Sequence, residues 1–181
     1  GDIADMEAFE AVLEEENIEY TRIQDKLKLY REENGDWAGA HIVAVSDTEK
    51  LKEFMVLEDP DTRKLVEVPE EGMLVSLRCA EKHGLKTGSV LEIMGSDGNA
   101  RKATVAGVIE HYLGYNLFVV SDSYYEKIMG EETDRCVFLL RGNVEGLYDK
   151  VKTMDGFLFL RDNSDSAGIG DSLVMVVLVV V

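Results

Sequence analysis

The sequence predicts an α+β fold in which a discontinuous α/β lobe carries an inserted β-rich lobe, and three observations predict it. An amphipathic helix followed by alternating strand patterns opens the chain. Both prolines, Pro60 and Pro69, fall just beyond residue 57, where the pattern breaks. After Gly72 short strands and a tight hairpin take over, and after residue 113 the order becomes β-α-β-α-β. The expected division is therefore one domain over 1–162, with one lobe formed by 1–56 and 113–162 and the inserted β-rich lobe by 57–112. A polar linker over 163–172 and an apolar run over 173–181 follow.

In the first helix, Ile3, Met6, Phe9, Val12 and Leu13 recur at helical spacing behind Asp2, and Glu7, Glu10 and Glu14 fall mostly on the other side. In the strand that follows, Ile18 and Tyr20 share one alternation phase while Ile23, Leu27 and Leu29 share the other. A bulge near Thr21–Arg22 is expected to reconcile them. Asn34-Gly35-Asp36 turns the chain into Ile42-Val43-Ala44-Val45, a continuous apolar run suited to a central strand. Ser46-Asp47-Thr48-Glu49 reads as a capping box before a short helix with Leu51, Phe54 and Met55.

The middle segment alternates strand (Met73 to Leu77), helix (Arg78 to His83) and strand (Val90 to Met94). Ser96-Asp97-Gly98-Asn99 then joins that strand to Ala103–Ile109 as a hairpin. Beyond it come a strand from Leu117 to Val120, a helix opened by Ser121 or Ser123 and closed at Gly130, a strand from Cys136 to Leu140, a helix from Asn143, and a strand from Phe157 to Leu160.

Composition excludes several functions. Of 181 residues 45% are apolar, enough to build a core, and 36 Asp+Glu against 19 Lys+Arg give a formal net charge of -17. No window gathers the cations that a phosphate backbone requires, so nucleic acid is not an expected partner. The same charge repels anionic lipid headgroups, so attachment to a membrane would have to come from apolar segments. No basic segment followed by an apolar one opens the chain, and no signal peptide is expected within it. Cys79 and Cys136 belong to no CxxC or Cys/His cluster and read as buried thiols, with pairing left open.

Chemistry-bearing motifs are few. Gly170-Asp171-Ser172-Leu173 spells the signature of the GDSL hydrolases, whose serine needs an Asp and a His far downstream. His41, His83 and His111 all lie upstream, so Ser172 has no base to activate it, and Asp171 or Ser172 reads better as a helix N-cap. No phosphate-binding glycine loop and no metal-ligand spacing occurs, so neither cofactor nor metal is expected, and no catalytic residue is assigned. The aromatic residues Trp37, Tyr112, Tyr115, Tyr124 and Tyr125 are candidate partner-binding residues, because tyrosine and tryptophan offer rigid contact area with a polar handle. For the tyrosines, packing between lobes is the alternative.

One stretch resembles a known family. Residues 72–89 read Gly-Met-Leu-Val-Ser-Leu-Arg-Cys-Ala-Glu-Lys-His-Gly-Leu-Lys-Thr-Gly-Ser. An acidic hairpin, Val105-Ala-Gly-Val-Ile109, an apolar strand and Ser121-Asp-Ser-Tyr-Tyr125 follow. This resembles the extracytoplasmic domain of FtsX-like ABC transporter permeases, related to the MacB-like periplasmic core, with Cys79 and Ser89 standing where leucine and aspartate are common. The resemblance covers about residues 18–181.

It implies a non-enzymatic bacterial membrane protein domain on the extracytoplasmic side of the cell membrane. Such a domain binds an extracellular peptide, lipid or protein, or relays conformational change to it, while a separate ATPase subunit hydrolyses ATP. It also implies that Leu173, Val174, Met175, Val176, Val177, Leu178, Val179, Val180 and Val181 begin a transmembrane helix, of which a full span needs about 20 apolar residues. A terminal β-strand is the alternative for a run this rich in valine. Beside the permease reading stand two others, a GDSL-type serine hydrolase and a secreted adhesion or scaffold module.

Overall fold

The computed structural model describes residues 3–110, 116–154, 157–162 and 173–178, with side chains described for 6–110 and 116–154. The order is α1 (Ile3–Glu15), β1 (Glu19–Arg31), β2 (Trp37–Val45), α2 (Thr48–Leu51), β3 (Met73–Ser76), α3 (Leu77–His83) and β4 (Val90–Met94). Then follow β5 (Ala100–Ile109), β6 (Leu117–Ser121), α4 (Asp122–Met129), β7 (Val137–Arg141), α5 (Leu147–Val151), β8 (Phe157–Asp162) and β9 (Leu173–Leu178). The protein is thus of mixed α and β type.

Two compact units divide the chain, Gly1–Ile23 with Arg135–Val181, and Gln24–Asp134. The boundaries differ from the expected 56/57 and 112/113. The reason lies in strand pairing: β1 pairs with β4 at Tyr30↔Ile93 and β6 with β3 at Leu74↔Val119 and Val75↔Phe118, while β2 runs parallel to β6 from His41↔Leu117 to Val45↔Ser121. Residues 24–56 therefore belong with the inserted unit rather than with the discontinuous one.

In the discontinuous unit, the first residues of β1 pair antiparallel with β7 from Glu19↔Arg141 to Ile23↔Val137. On β7's other side lies β9, which also pairs with β8. Leu173–Leu178 is therefore a strand and not the start of a helix. Valine supplies the physical reason, since its branched side chain favours extended backbone. The linker 163–172, with Ser172, and Val179–Val181 lie outside the described residues.

The core of this unit joins Phe9 and Leu13 of α1 to Ile18, Phe138, Leu140, Leu147 and Val151. Phe9 meets Phe138 edge to face at 4.9 Å, and the Arg22 guanidinium covers the same ring at 5.3 Å while Nη1 donates to Glu10 at 3.2 Å. α1 ends at Asn17, whose φ of 54° lets the next amide, Ile18, donate back to the Leu13 carbonyl at 2.9 Å.

The inserted unit is a closed circuit of six strands, β1-β2-β6-β3-β5-β4 and back to β1. The circuit closes between β1 and β4 through the pair Tyr30↔Ile93. Alternate residues of each strand fill the interior: Tyr30, Ala40, Ile42, Ala44, Met73, Val75, Ile93, Val105, Phe118 and Val120 form one cluster with Cys79 of α3 and Tyr125, Ile128 and Met129 of α4. The expected phase slip in β1 is real but sits at Ile23–Gln24, where two adjacent side chains are buried, and not at Thr21–Arg22, whose register with β7 is regular. Cys79 and Cys136 are both buried and are not joined in a disulfide.

Helix ends follow local chemistry. Asp47, not Ser46, caps α2 by accepting the Lys50 amide at 2.9 Å. Ser121 accepts the Tyr124 amide at 3.1 Å to open α4, and Gly84 and Gly130, at φ 62° and 68°, close α3 and α4. Among the described residues no helix is long and apolar enough to cross a membrane.

Candidate functional site

The inserted unit presents a groove of about 380 Å³ where the end of β1, the C-terminal turn of α3 and the start of β4 converge. Arg31, Glu32 and Glu33 form one wall, Ser89, Val90 and Glu92 another, and His83 lies at the base. The left-handed Gly84 turns the chain sharply out of α3, which brings Leu85 to the groove.

Polar geometry at the base is closely defined. The His83 side chain is only 8% exposed, and its Nε2 lies 2.9 Å from the hydroxyl of Tyr30, which also accepts from Asn116 Nδ2 at 3.4 Å. Burial, with the Cys79 thiol beside it, pushes the Tyr30 phenol well above its usual range, so it stays protonated. The Cys79 thiol is likewise raised by burial. Above it, the Glu32 carboxylate accepts Lys82 Nζ at 2.7 Å and approaches His83 Nε2 at 3.4 Å. The Lys82 hydrogen bond holds Glu32 below the ordinary carboxylate range. Arg31 Nη1 donates to Glu92 at 2.9 Å.

A second surface lies on the outward face of the β1–β2 hairpin. His41 Nδ1 and Asp25 Oδ1 are 2.7 Å apart, Leu27 extends across Gly39, and Arg31 covers the Trp37 ring at 5.8 Å. A β-carbon at Gly39 would stand 3.2 Å from Leu27 Cδ1, so the glycine leaves room for the leucine to lie flat. Leu27 and Leu29 are nevertheless exposed, at 66% and 45%. The Asp25 hydrogen bond raises the His41 pKa above its ordinary 6.5, against an opposing effect of burial.

The aromatic candidates separate clearly. Trp37 is half-buried on this hairpin face, within reach of a partner. Tyr124 and Tyr125 are core residues rather than contact residues: the Tyr124 hydroxyl accepts the Thr104 amide at 3.0 Å, and the Tyr125 hydroxyl donates to Glu131. Their adjacency on α4 places both rings against the barrel interior, where an aromatic gains most from burial. Tyr112, Tyr115 and His111 lie outside the described residues.

His41 and His83 each have a specific polar partner, Asp25 and Tyr30. Among the described residues no group of three or more His, Cys, Asp or Glu is arranged to hold a metal ion. Sequence reasoning missed Glu32, His83 and Glu92 as neighbours, because they are brought together by the β1–β4 pairing at Tyr30↔Ile93, a contact across 63 residues that no local pattern announces. Compared with protein-family models and with curated proteins, the sequence matches neither.

Proposed function

We propose that this chain is the extracytoplasmic domain of an FtsX-like ABC-type permease, in which a discontinuous lobe and an inserted β-rich lobe form a MacB-like periplasmic core. It is not an enzyme. It binds an extracellular peptide, lipid or protein, or relays motion to it, and ATP is hydrolysed by a separate subunit.

The observation that carries this reading is the structural weight of the residues that bear the resemblance. Gly72, Gly84 and Gly88 all adopt positive φ, at 91°, 62° and 90°, and they punctuate one continuous β3-α3-β4-β5 path. At Gly72 a β-carbon would come within 2.8 Å of Ala106 Cβ. The resemblance therefore rests on positions whose identity the backbone dictates, which is what a shared fold leaves in a diverged sequence. A discontinuous unit carrying an inserted one is the arrangement the resemblance implies, and its division at 23/24 and 134/135 supports the reading in kind.

The test is topology. Asn34→Cys, on an exposed turn in a chain whose own two cysteines are buried, is introduced into the full parent polypeptide and expressed in bacterial cells. Labelling of intact cells by a membrane-impermeant maleimide, with co-purification of an ATPase subunit in detergent, is the expected outcome. Labelling only after the cells are permeabilised removes the reading.

A further inference from the structure

We infer that Asn34-Gly35, at the tip of the β1–β2 hairpin, is a site of spontaneous covalent modification, where the turn converts without an enzyme to isoaspartate and aspartate. It is the chain's only Asn-Gly pair. In the first step the Gly35 nitrogen loses its proton to solvent base and bonds to Asn34 Cγ, the Cγ–Nδ2 bond breaks, and Nδ2 leaves as ammonia. In the second, water adds to the resulting cyclic imide and opens one of its two carbonyl–nitrogen bonds. Water is the only co-reactant.

The geometry of the turn favours the first step. An added β-carbon at Gly35 would meet nothing within 4 Å, so the attacking nitrogen stands in open space with no side chain of its own to screen it. Asn34 is exposed as well, which lets water and base reach both reacting groups. Its side chain folds back over Gly35 in an Asx turn: Oδ1 accepts the Asp36 amide at 2.9 Å, and Nδ2 donates to Asp36 Oδ2 at 2.9 Å. The Asp36 amide thereby points at the oxygen on which negative charge develops as Cγ becomes tetrahedral. Against the reaction stands the hydrogen bond from the Gly35 amide to the Glu32 carbonyl, at 2.9 Å. Gly35 is exposed, so water takes over its amide whenever the turn opens locally. The related pair Asp97-Gly98 is not equivalent, because Arg101 binds both oxygens of that carboxylate, at 2.8 and 2.6 Å, and a carboxylate is a poor electrophile.

The products change the hairpin in charge and in chain length. A carboxylate at position 34 faces Asp36 Oδ2 where an amide donated before, in a run that already holds Glu32, Glu33 and Asp36, so attraction becomes repulsion. Isoaspartate also inserts a methylene into the main chain between Glu32 and Asp36, whose bond from the Glu32 amide to the Asp36 carbonyl, at 2.8 Å, closes the hairpin. It displaces the Gly35 carbonyl that accepts Arg31 Nε at 3.3 Å, and Arg31 is the residue that covers the Trp37 ring. Conversion therefore loosens the tip beside Trp37 in one direction only.

The experiment keeps the folded 181-residue chain in mildly alkaline buffer, beside the free peptide acetyl-Glu-Glu-Asn-Gly-Asp-Trp-amide, and follows both by peptide-mapping mass spectrometry. A gain of about one dalton at Asn34 is expected. It should arise about tenfold or more faster than at Asn17, Asn99, Asn116 or Asn143, with isoaspartate in excess of aspartate by electron-transfer fragmentation. Amide hydrogen exchange at Glu32 should quicken by about tenfold in the aged chain. Asn34→Gln, whose longer side chain closes a less favourable ring, should show neither change, and unchanged dispersion of the remaining amide signals verifies that both proteins are folded. Survival of the Asn34 amide in the folded chain while the free peptide converts would overturn the inference, and conversion without faster exchange at Glu32 would overturn the loosening of the hairpin.

Discussion

Replacing Gly72 by alanine isolates a close backbone approach on which the inserted unit depends. Gly72 enters β3 at φ 91°, and an added β-carbon would lie 2.8 Å from Ala106 Cβ and 3.2 Å from the Thr104 carbonyl oxygen. The first distance is about 0.7 Å inside the ~3.5 Å at which carbon atoms rest comfortably. Positive φ costs an alanine roughly 1–2 kcal/mol, and overpacking of this degree adds roughly 1–3 kcal/mol, so a total near 3 kcal/mol is expected. Gly84→Ala is the matched control, because at φ 62° with nothing within 4 Å it meets only the conformational term, about 1 kcal/mol. Urea unfolding followed by the fluorescence of Trp37, the only tryptophan, reports on the inserted unit that holds both glycines. The m-value should not change. Equal losses in the two variants, within about 0.5 kcal/mol, would refute the assignment of steric crowding to Gly72.

Three further outcomes are expected. His41 has a folded pKa raised above 6.5 by Asp25, so its stabilising effect is complete below that value and disappears as pH rises through the folded pKa. His41→Gln should be less stable than the parent near pH 5.5, by under about 1 kcal/mol because His41 is 38% exposed, and equal to it in alkaline solution; a gap that widens with pH would contradict this. Glu131 is pushed up by burial but carried down to about 2 overall by hydrogen bonds from Lys28, Tyr125 and Ser96. Its contribution is therefore present above about 4.5 and lost as pH falls toward 2, and Glu131→Gln should cost about 1–3 kcal/mol at pH 7 with the deficit closing below pH 4.5 in acid titrations of stability. Deleting residues 169–181 strips β7 and β8 of a shared backbone partner and should lower the thermal midpoint by about 5 °C or more, whereas an unchanged midpoint would show that the segment is foreign to the fold.

Local chemistry made many elements legible. Ser121 and Gly130 bracket α4 because a hydroxyl and a left-handed glycine satisfy the end groups of a helix wherever it sits, and Ser96-Asp97-Gly98-Asn99 turns β4 into β5 for equally local reasons. Asp97 even holds the turn through Arg101, whose guanidinium keeps that carboxyl far below its usual range. What local chemistry does not encode is partnership. Pairing of β1 with β4 and of β3 with β6 closes the barrel through contacts far apart in sequence, and this closure moved residues 24–56 out of the lobe to which their helix-and-strand order assigned them. Tyr124 and Tyr125 illustrate the same limit at the level of a site. Aromatic type suggested contact, but only the position of α4 over the barrel decides that both rings are interior.

The apolar run at Leu173 shows how a single segment can satisfy two environments, though not at once. As β9 its amides and carbonyls meet β7, from Val137↔Val177 to Arg141↔Leu173, and β8 on the other side. Within hydrocarbon those groups would have to bond inside a helix, since lipid supplies neither donors nor acceptors. The two states compete for the same backbone hydrogen bonds, so a membrane helix starting at Leu173 would release β8 and leave β7 unpaired on that side. A native β9 therefore requires a membrane span that continues from this segment to begin beyond Leu178, and a native helix at Leu173 requires β7 to acquire another partner.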